Sequence, residues 1–186
     1  MVAMEELANE ALAVSRDHFD LTLSIAKKFR ASILLIPFGL IKYGKVKFVG
    51  SGGCNIGKRP LDSFDDALLK AGISVAQTED GNKTYEVVSQ PKKNIMLQEF
   101  SVTTTEALII YLAFAKNYDY EINIYQVAIE PHIRNLIDFL NNAGANINLQ
   151  VDNHIVIQPS KIKIKKHEFT IIGDYIEAGT YFALAA

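Results

Sequence analysis

The only cysteine of the chain, Cys54, lies in a glycine-rich stretch whose composition could support thiol chemistry. Gly52 and Gly53 precede it, and Lys58 and Arg59 follow within five residues. Neighbouring cations lower the pKa of a thiol and favour the reactive thiolate, and an arginine can bind a carboxylate or phosphate with two hydrogen bonds. The stretch is therefore suited to hold an anion beside a thiol, although an inert small thiol in an ordinary turn has the same composition.

The elements around this stretch form a helix–strand–loop–helix series. An apolar helical run over residues 33–41 leads to an alternating strand over residues 46–49, after which the Cys54 loop begins. Pro60 is typical of the first turn of a helix, and Asp62 favours the positive N-terminal end of that helix. Ala71 and Gly72 end it. The loop therefore lies at a helix N-terminus, where backbone N–H groups favour anions.

The same plan occurs a second time. Thr103 and Glu106 have the spacing of a capping box before an apolar helix that runs to Ala115, and a second helix with an apolar stripe begins near Pro131. Further strands are predicted over residues 74–78, 84–89, 95–98, 121–125, 147–149, 153–158 and 169–172, the last followed by a helix over 176–186. Repeats that each expose an apolar helix face must bury it against one another. The sequence therefore predicts mixed α/β (α+β) structure in βαβαββ repeats, with helices inside and sheets outside.

Composition excludes several classes of partner and places the chain in a reducing setting. The 186 residues suit a single domain, and a net charge of -2 gives no bulk attraction to nucleic acid or a membrane surface. The longest apolar run, residues 31–41, is too short to span a bilayer. A single cysteine and the absence of a signal-peptide pattern predict a cytoplasmic protein. His18, His132, His154 and His167 lack metal-ligand spacing, so no metal is expected.

Several motifs together resemble one enzyme family, from about Asp20 to the end of the chain. They are Arg30-Ala31-Ser32-Ile33, Gly-Gly-Cys-Asn-Ile-Gly-Lys-Arg-Pro-Leu-Asp at 52–62, Ser101-Val102 with Thr105-Glu106, Glu130-Pro131, and Ile-Glu-Ala-Gly-Thr at 176–180. These motifs resemble the UDP-N-acetylglucosamine 1-carboxyvinyltransferases, which are enolpyruvyl transferases. The resemblance implies an inside-out α/β barrel domain of three βαβαββ units, paired in the family with a similar domain across the active site. Residues 20–99 would form the first unit, 100–166 the second and 167–186 the start of a third, within a single partial domain (1–186) that lacks its counterpart.

The resemblance also implies a reaction and its residues. The family transfers the enolpyruvyl group of phosphoenolpyruvate to the 3′-hydroxyl of UDP-N-acetylglucosamine, releases phosphate and so begins peptidoglycan synthesis, without cofactor or metal. Cys54 would protonate phosphoenolpyruvate and Arg59 would hold it beside the nucleotide sugar. The residues implied to bind the substrates are Arg30, Arg59, Pro60, Leu61, Asp62, Ser63, Ser101, Val102 and Thr103.

Five positions depart from the family pattern, among them Ser51, where a proline is usual, and Lys58, where a small residue is common. Thr103 replaces a usual glycine, which could crowd a diphosphate; Tyr175 replaces an arginine, and His132 an acidic residue. Two other functions are compatible with the sequence: a non-catalytic module that binds a nucleotide sugar, and a redox sensor centred on Cys54. A related transferase acting on shikimate 3-phosphate shares the fold, but the cysteine loop argues against it.

Overall fold

The computed structural model describes residues 19–21, 30–50, 60–78, 82–163 and 168–185, and its elements follow the predicted repeats. The first repeat consists of β1 (Phe19–Leu21), a 3-10 helix (Arg30–Leu34), α1 (Leu35–Tyr43), β2 (Lys45–Phe48), α2 (Asp62–Lys70), β3 (Ile73–Gln77) and β4 (Lys83–Val87). The second consists of β5 (Asn94–Met96), α3 (Val102–Phe114), β6 (Ile122–Tyr125), α4 (Pro131–Asn142), β7 (Asn146–Leu149) and β8 (His154–Gln158). Helix α5 (Tyr175–Ala185) follows.

Strand pairing confirms that the two repeats are copies of one plan. The first sheet has the order β1-β2-β4-β3 and the second the order β5-β6-β8-β7. In each sheet the first two strands are parallel, and the remaining pairs are antiparallel. The parallel pair is connected through a helix, as parallel strands require. Both sheets therefore have βαβαββ connectivity, and the strand predicted over residues 95–98 opens the second one.

The core forms around α3, because this helix is apolar on all sides. Every residue from Thr104 to Ala113 except Glu106 is buried. Helix α3 packs against α1, α2, α4 and β8. Helices α2 and α4 instead bury one stripe each, and β2 and β6 alternate buried and more exposed residues. A central helix with sheets over it agrees with the predicted arrangement, and closure into a complete barrel stays a prediction.

Helix α2 is held on the first sheet by a partly buried polar contact. The Asp65 carboxylate accepts a hydrogen bond from the Tyr85 hydroxyl at 2.9 Å and forms an ion pair with Lys83. Burial, followed by the charge of Asp65, raises the pKa of Tyr85 well above its ordinary value. The end of α2 is fixed by Gly72, whose φ of 85° favours glycine and whose carbonyl accepts hydrogen bonds from the N–H groups of Val88 and Ser89. Helix α2 is thus attached, near its start and just after its end, to β4 and to the residues that follow β4.

Two local predictions are wrong. Pro60 is not in the first turn of α2, because the N-cap is Leu61 and the helix begins at Asp62. Residues 169–172 are not a strand. Within the described ranges, no strand pairs with this segment, and a strand needs such a backbone partner.

Helix α5 is present as predicted, but it packs differently from its repeat equivalents α1 and α3. All of its described residues are exposed, including Phe182 and Leu184. The Asp174 carboxylate caps it by accepting hydrogen bonds from the N–H groups of Ile176 and Glu177 at 2.8 and 3.1 Å. None of the helices in the described ranges is long and apolar enough to cross a membrane.

Candidate functional site

The residues with the sharpest predicted chemistry, Cys54 and Arg59, lie outside the described residues, which leave out 51–59. The structure does describe Gly50 and Pro60, which flank this segment, and every other predicted substrate-binding residue. The described part of the site consists of the N-termini of α2 and α3 and the start of the 3-10 helix.

The N-terminus of α3 is capped by Ser101, not by the predicted capping box of Thr103 and Glu106. The Ser101 hydroxyl oxygen accepts hydrogen bonds from the Thr104 N–H at 3.3 Å and from the Thr104 hydroxyl at 3.0 Å. Thr103 is the second residue of the helix. The stretch Ser-Val-Thr-Thr-Thr offers several hydroxyls that can cap, and Ser101 is the one with extended backbone ahead of the first turn.

Thr105 fixes this helix end to the loop that follows β6. Its buried hydroxyl donates to the Ser101 carbonyl at 2.8 Å and accepts from the Ala128 N–H at 3.1 Å. Ala128 lies between β6 and α4 and is itself buried. A single side chain thus connects the α3 N-terminus to the loop that follows β6.

The N-terminus of α2 differs, because its N-cap residue is apolar. Leu61 offers no side-chain hydrogen bond to the first turn. The first N–H groups of a helix have no partner within the helix. Together with the positive end of the helix dipole, they provide donors that a phosphate can use.

A small cleft of about 30 Å³ brings these two helix ends together with the start of the 3-10 helix. Its lining residues are Arg30, Ile33, Pro60, Leu61, Ser63, Phe64, Glu99, Ser101, Thr103 and Thr104. Six predicted substrate-binding residues are among them, from three segments distant in sequence. The volume suits one or two water molecules, so a larger ligand requires the walls to separate.

Two predicted residues do not line the cleft. Asp62 is exposed at the start of α2, and Val102 packs against the hydrophobic core. Four lining residues, Ile33, Phe64, Thr104 and Glu99, were not predicted to bind a substrate, and of these only Glu99 carries a charge. Its carboxylate accepts a hydrogen bond from the Ser63 hydroxyl at 2.7 Å, which joins the two walls. Its position two residues before the Ser101 cap was the only signal in the sequence that could have drawn attention to it.

The equivalent place in the second repeat, at the N-terminus of α4, holds a cluster of titratable groups. His132 Nε2 lies 3.9 Å from Glu106 Oε1, and the His132 ring stacks on Tyr175 at 6.2 Å between centroids. Burial raises the pKa of Glu106, while His132 lowers it and Glu130 raises it further. Two of the departures from the family pattern, His132 and Tyr175, are therefore in contact with each other.

A larger cavity of about 440 Å³ lies at the opposite, C-terminal ends of α1 and α3. Leu40, Gly44, Tyr111 and Phe114 are among the residues that line it, and none of the predicted site residues does. Within the described ranges, no group of three or more His, Cys, Asp or Glu side chains could hold a metal ion. The helix-end cleft is thus the place where the predicted residues converge.

Comparisons with known proteins point to one family. The sequence profile described as EPSP synthase (3-phosphoshikimate 1-carboxyvinyltransferase) matches residues 2–186. UDP-N-acetylglucosamine 1-carboxyvinyltransferase of Pelagibacter ubique (strain HTCC1062) is 36% identical over 167 residues, which are 88% of this chain and 38% of that protein. The enzyme of the same name from Wolbachia pipientis wMel is 38% identical over 166 residues, covering 87% of this chain and 36% of that protein. The chain therefore spans little more than a third of the length of these relatives.

Solved structures agree on the fold. The enolpyruvyl transferase NikO from Streptomyces tendae aligns with a TM-score of 0.59 at 14% identity, over 73% of this chain and 31% of that one. EPSP synthase from Acinetobacter baumannii aligns with a TM-score of 0.53 at 16% identity, over 80% of this chain and 32% of that one. At these identities the likeness concerns the fold alone.

Proposed function

The chain belongs to the EPSP synthase family of enolpyruvyl transferases, and we therefore propose that it serves the transfer of an enolpyruvyl group from phosphoenolpyruvate to the 3′-hydroxyl of UDP-N-acetylglucosamine. The choice of acceptor is supported by the names of relatives 36% and 38% identical to this chain. The cysteine loop supports it as well, because the resemblance of that loop is to this branch of the family. The product would enter peptidoglycan synthesis in the cytoplasm.

The observation that carries the proposal is the convergence of residues on the helix-end cleft. Arg30, Ser63 and Ser101 come from three separate segments, yet all line one small space. The N-terminus of α2, which has no side-chain cap, suits a phosphate group, and the Arg30 guanidinium supplies a fixed positive charge with two parallel donors. In the sequence Cys54 lies between β2 and α2, and the N-terminus of α2 lines the cleft, which supports a role for this thiol in the proposed reaction.

The proposed chemistry is an addition followed by an elimination. The Cys54 thiol gives its proton to C3 of phosphoenolpyruvate, which makes C2 electrophilic, and the sugar 3′-oxygen bonds to C2 as its own proton leaves. Loss of a proton from C3 and of phosphate from C2 then restores the double bond on the sugar ether. Arg59 would stabilise the negative charge of the phosphate group throughout. No cofactor or metal takes part in this scheme.

Nucleotide-sugar binding tests the first part of the proposal. We expect UDP-N-acetylglucosamine to bind the chain in isothermal titration calorimetry, and Arg30→Ala to weaken binding about 10- to 100-fold through loss of a charge-assisted contact. Arg134→Ala, on the exposed side of α4, is a matched control that removes one positive charge away from the cleft. Equal losses in both variants would contradict a binding role for Arg30.

Labelling of Cys54 tests the second part. Fosfomycin mimics phosphoenolpyruvate and alkylates the loop cysteine of the resembled family, so we expect it to add once to the intact chain, faster when UDP-N-acetylglucosamine is present. Intact-mass spectrometry measures the rate, and Cys54→Ser is the control because it removes the only thiol. Rapid peroxide oxidation with no dependence on the sugar would favour a redox sensor. Sugar binding without labelling or turnover, even with a counterpart domain supplied, would favour a binding module.

A further inference from the structure

Glu99 joins the two helix ends that form the cleft. Its backbone carbonyl accepts a hydrogen bond from the Ser101 N–H at 2.9 Å, so its position is tied to the α3 cap. Its side chain reaches the first turn of α2, where Oε1 accepts from the Ser63 hydroxyl at 2.7 Å. Glu99 therefore connects the starts of α2 and α3, although Ser63 and Glu99 are 36 residues apart in the sequence.

The Glu99 carboxylate lines the cleft beside these helix ends, together with Arg30. Among the ion pairs of the described residues, none involves Glu99. Helices α2 and α3 contain 9 and 13 residues, long enough for their N-termini to favour a negative charge. A phosphate group of a ligand in the cleft would interact with the same two helix ends that Glu99 connects.

We propose that Glu99 is a specificity-determining residue, whose carboxylate acts as an internal anion that a phosphate-bearing ligand must displace. The inference rests on the proposed function for the identity of that ligand, a nucleoside diphosphate sugar. In the free protein the Ser63–Glu99 hydrogen bond holds the walls together around about 30 Å³. A diphosphate that enters the cleft binds at the helix ends in place of the Glu99 carboxylate. The carboxylate then turns outward to solvent, because it and the diphosphate are both negatively charged and repel each other within the cleft.

Glu99→Gln tests the proposal, because the amide keeps the shape and can still accept from Ser63 but carries no charge. We expect the dissociation constant for UDP-N-acetylglucosamine to fall about 3- to 10-fold at 20 mM salt, and the gain to shrink below about twofold at 1 M salt, where charges are screened within about 3 Å. The control is Glu121→Gln, which also removes an exposed carboxylate, one residue before β6 and at the opposite end of the second sheet. Circular dichroism verifies that both variants are folded.

The outcomes separate the inference from the proposed function. Unchanged or weaker binding by Glu99→Gln, or an equal gain in Glu121→Gln, would overturn the role of Glu99 while nucleotide-sugar binding stands. If neither the wild type nor Glu99→Gln binds the nucleotide sugar, the proposed function fails, and inorganic pyrophosphate becomes the probe. Tighter pyrophosphate binding by Glu99→Gln alone would then support the internal anion, and no difference would refute it.

Discussion

Thr105 provides a test of how the α3 N-terminus is held, through the substitution Thr105→Val. Valine has nearly the same shape, so packing changes little and the loss is confined to the hydroxyl. The Ser101 carbonyl keeps a partner, because it also accepts from the Thr105 N–H at 3.0 Å. The Ala128 N–H does not: its hydrogen bond goes to the Thr105 hydroxyl, and Ala128 is 2% exposed.

The magnitude follows from this difference between the two hydrogen bonds. Leaving a buried N–H unsatisfied costs about 1–3 kcal/mol, so we expect Thr105→Val to lower the free energy of unfolding by about 2 kcal/mol. Thr104→Val is the matched control. It removes a hydroxyl that donates to Ser101 Oγ, which still accepts from the Thr104 N–H, so about 0.5–1 kcal/mol is expected.

Urea unfolding followed by circular dichroism measures both variants. The midpoint should fall more for Thr105→Val than for Thr104→Val, with an unchanged m-value, because the surface exposed on unfolding is the same. Equal losses in the two variants would refute the reasoning that the Ala128 N–H depends on Thr105. A change in m-value would instead point to altered compactness of the folded or unfolded state.

Two further predictions concern a glycine and a partly buried acid. In urea titrations, Gly72→Ala should lower the free energy of unfolding by about 2 kcal/mol more than Gly44→Ala. Both glycines have positive φ, but of the two only Gly72 would place a Cβ 2.3 Å from a backbone oxygen, that of Ser89. Equal losses in the two variants would contradict this steric clash. Glu106→Gln should raise the free energy of unfolding at pH 7, since burial raises the pKa of Glu106 and its ionised form is disfavoured in the folded state. The folded protein binds the extra proton, so the advantage of the variant should vanish below pH 4.5, and an advantage that persists there would exclude this cause.

The repeats were predictable because local chemistry determines them. Helix α4 has a stripe of apolar residues and begins at Pro131, in the first turn as predicted. The glycines at 72 and 144 end helices in both repeats with positive φ. Glycine, proline and apolar spacing act within a few residues, so a single sequence contains enough information to place these elements.

Features that depend on distant partners were not predictable in the same way. The segment at 169–172 has the composition of a strand, but a strand also needs a neighbour. Thr103 and Glu106 have capping-box spacing, yet Ser101 caps the helix. The direction of the backbone ahead of the first turn decides which hydroxyl can reach the N–H groups of that turn. Glu99 is one exposed acid among many in the sequence, and only the fold brings it to Ser63.

The two sheets share no strand pairing in the described part of the chain, and the helix-end cleft lies where the repeats meet. Ser63 belongs to the first repeat and Ser101 to the second. A ligand that fills the cleft would contact both repeats at once and hold them together by noncovalent interactions. Because only the assembled pair offers both walls, such a ligand would make the repeats unfold together and stabilise them in proportion to the logarithm of its concentration once the cleft is saturated.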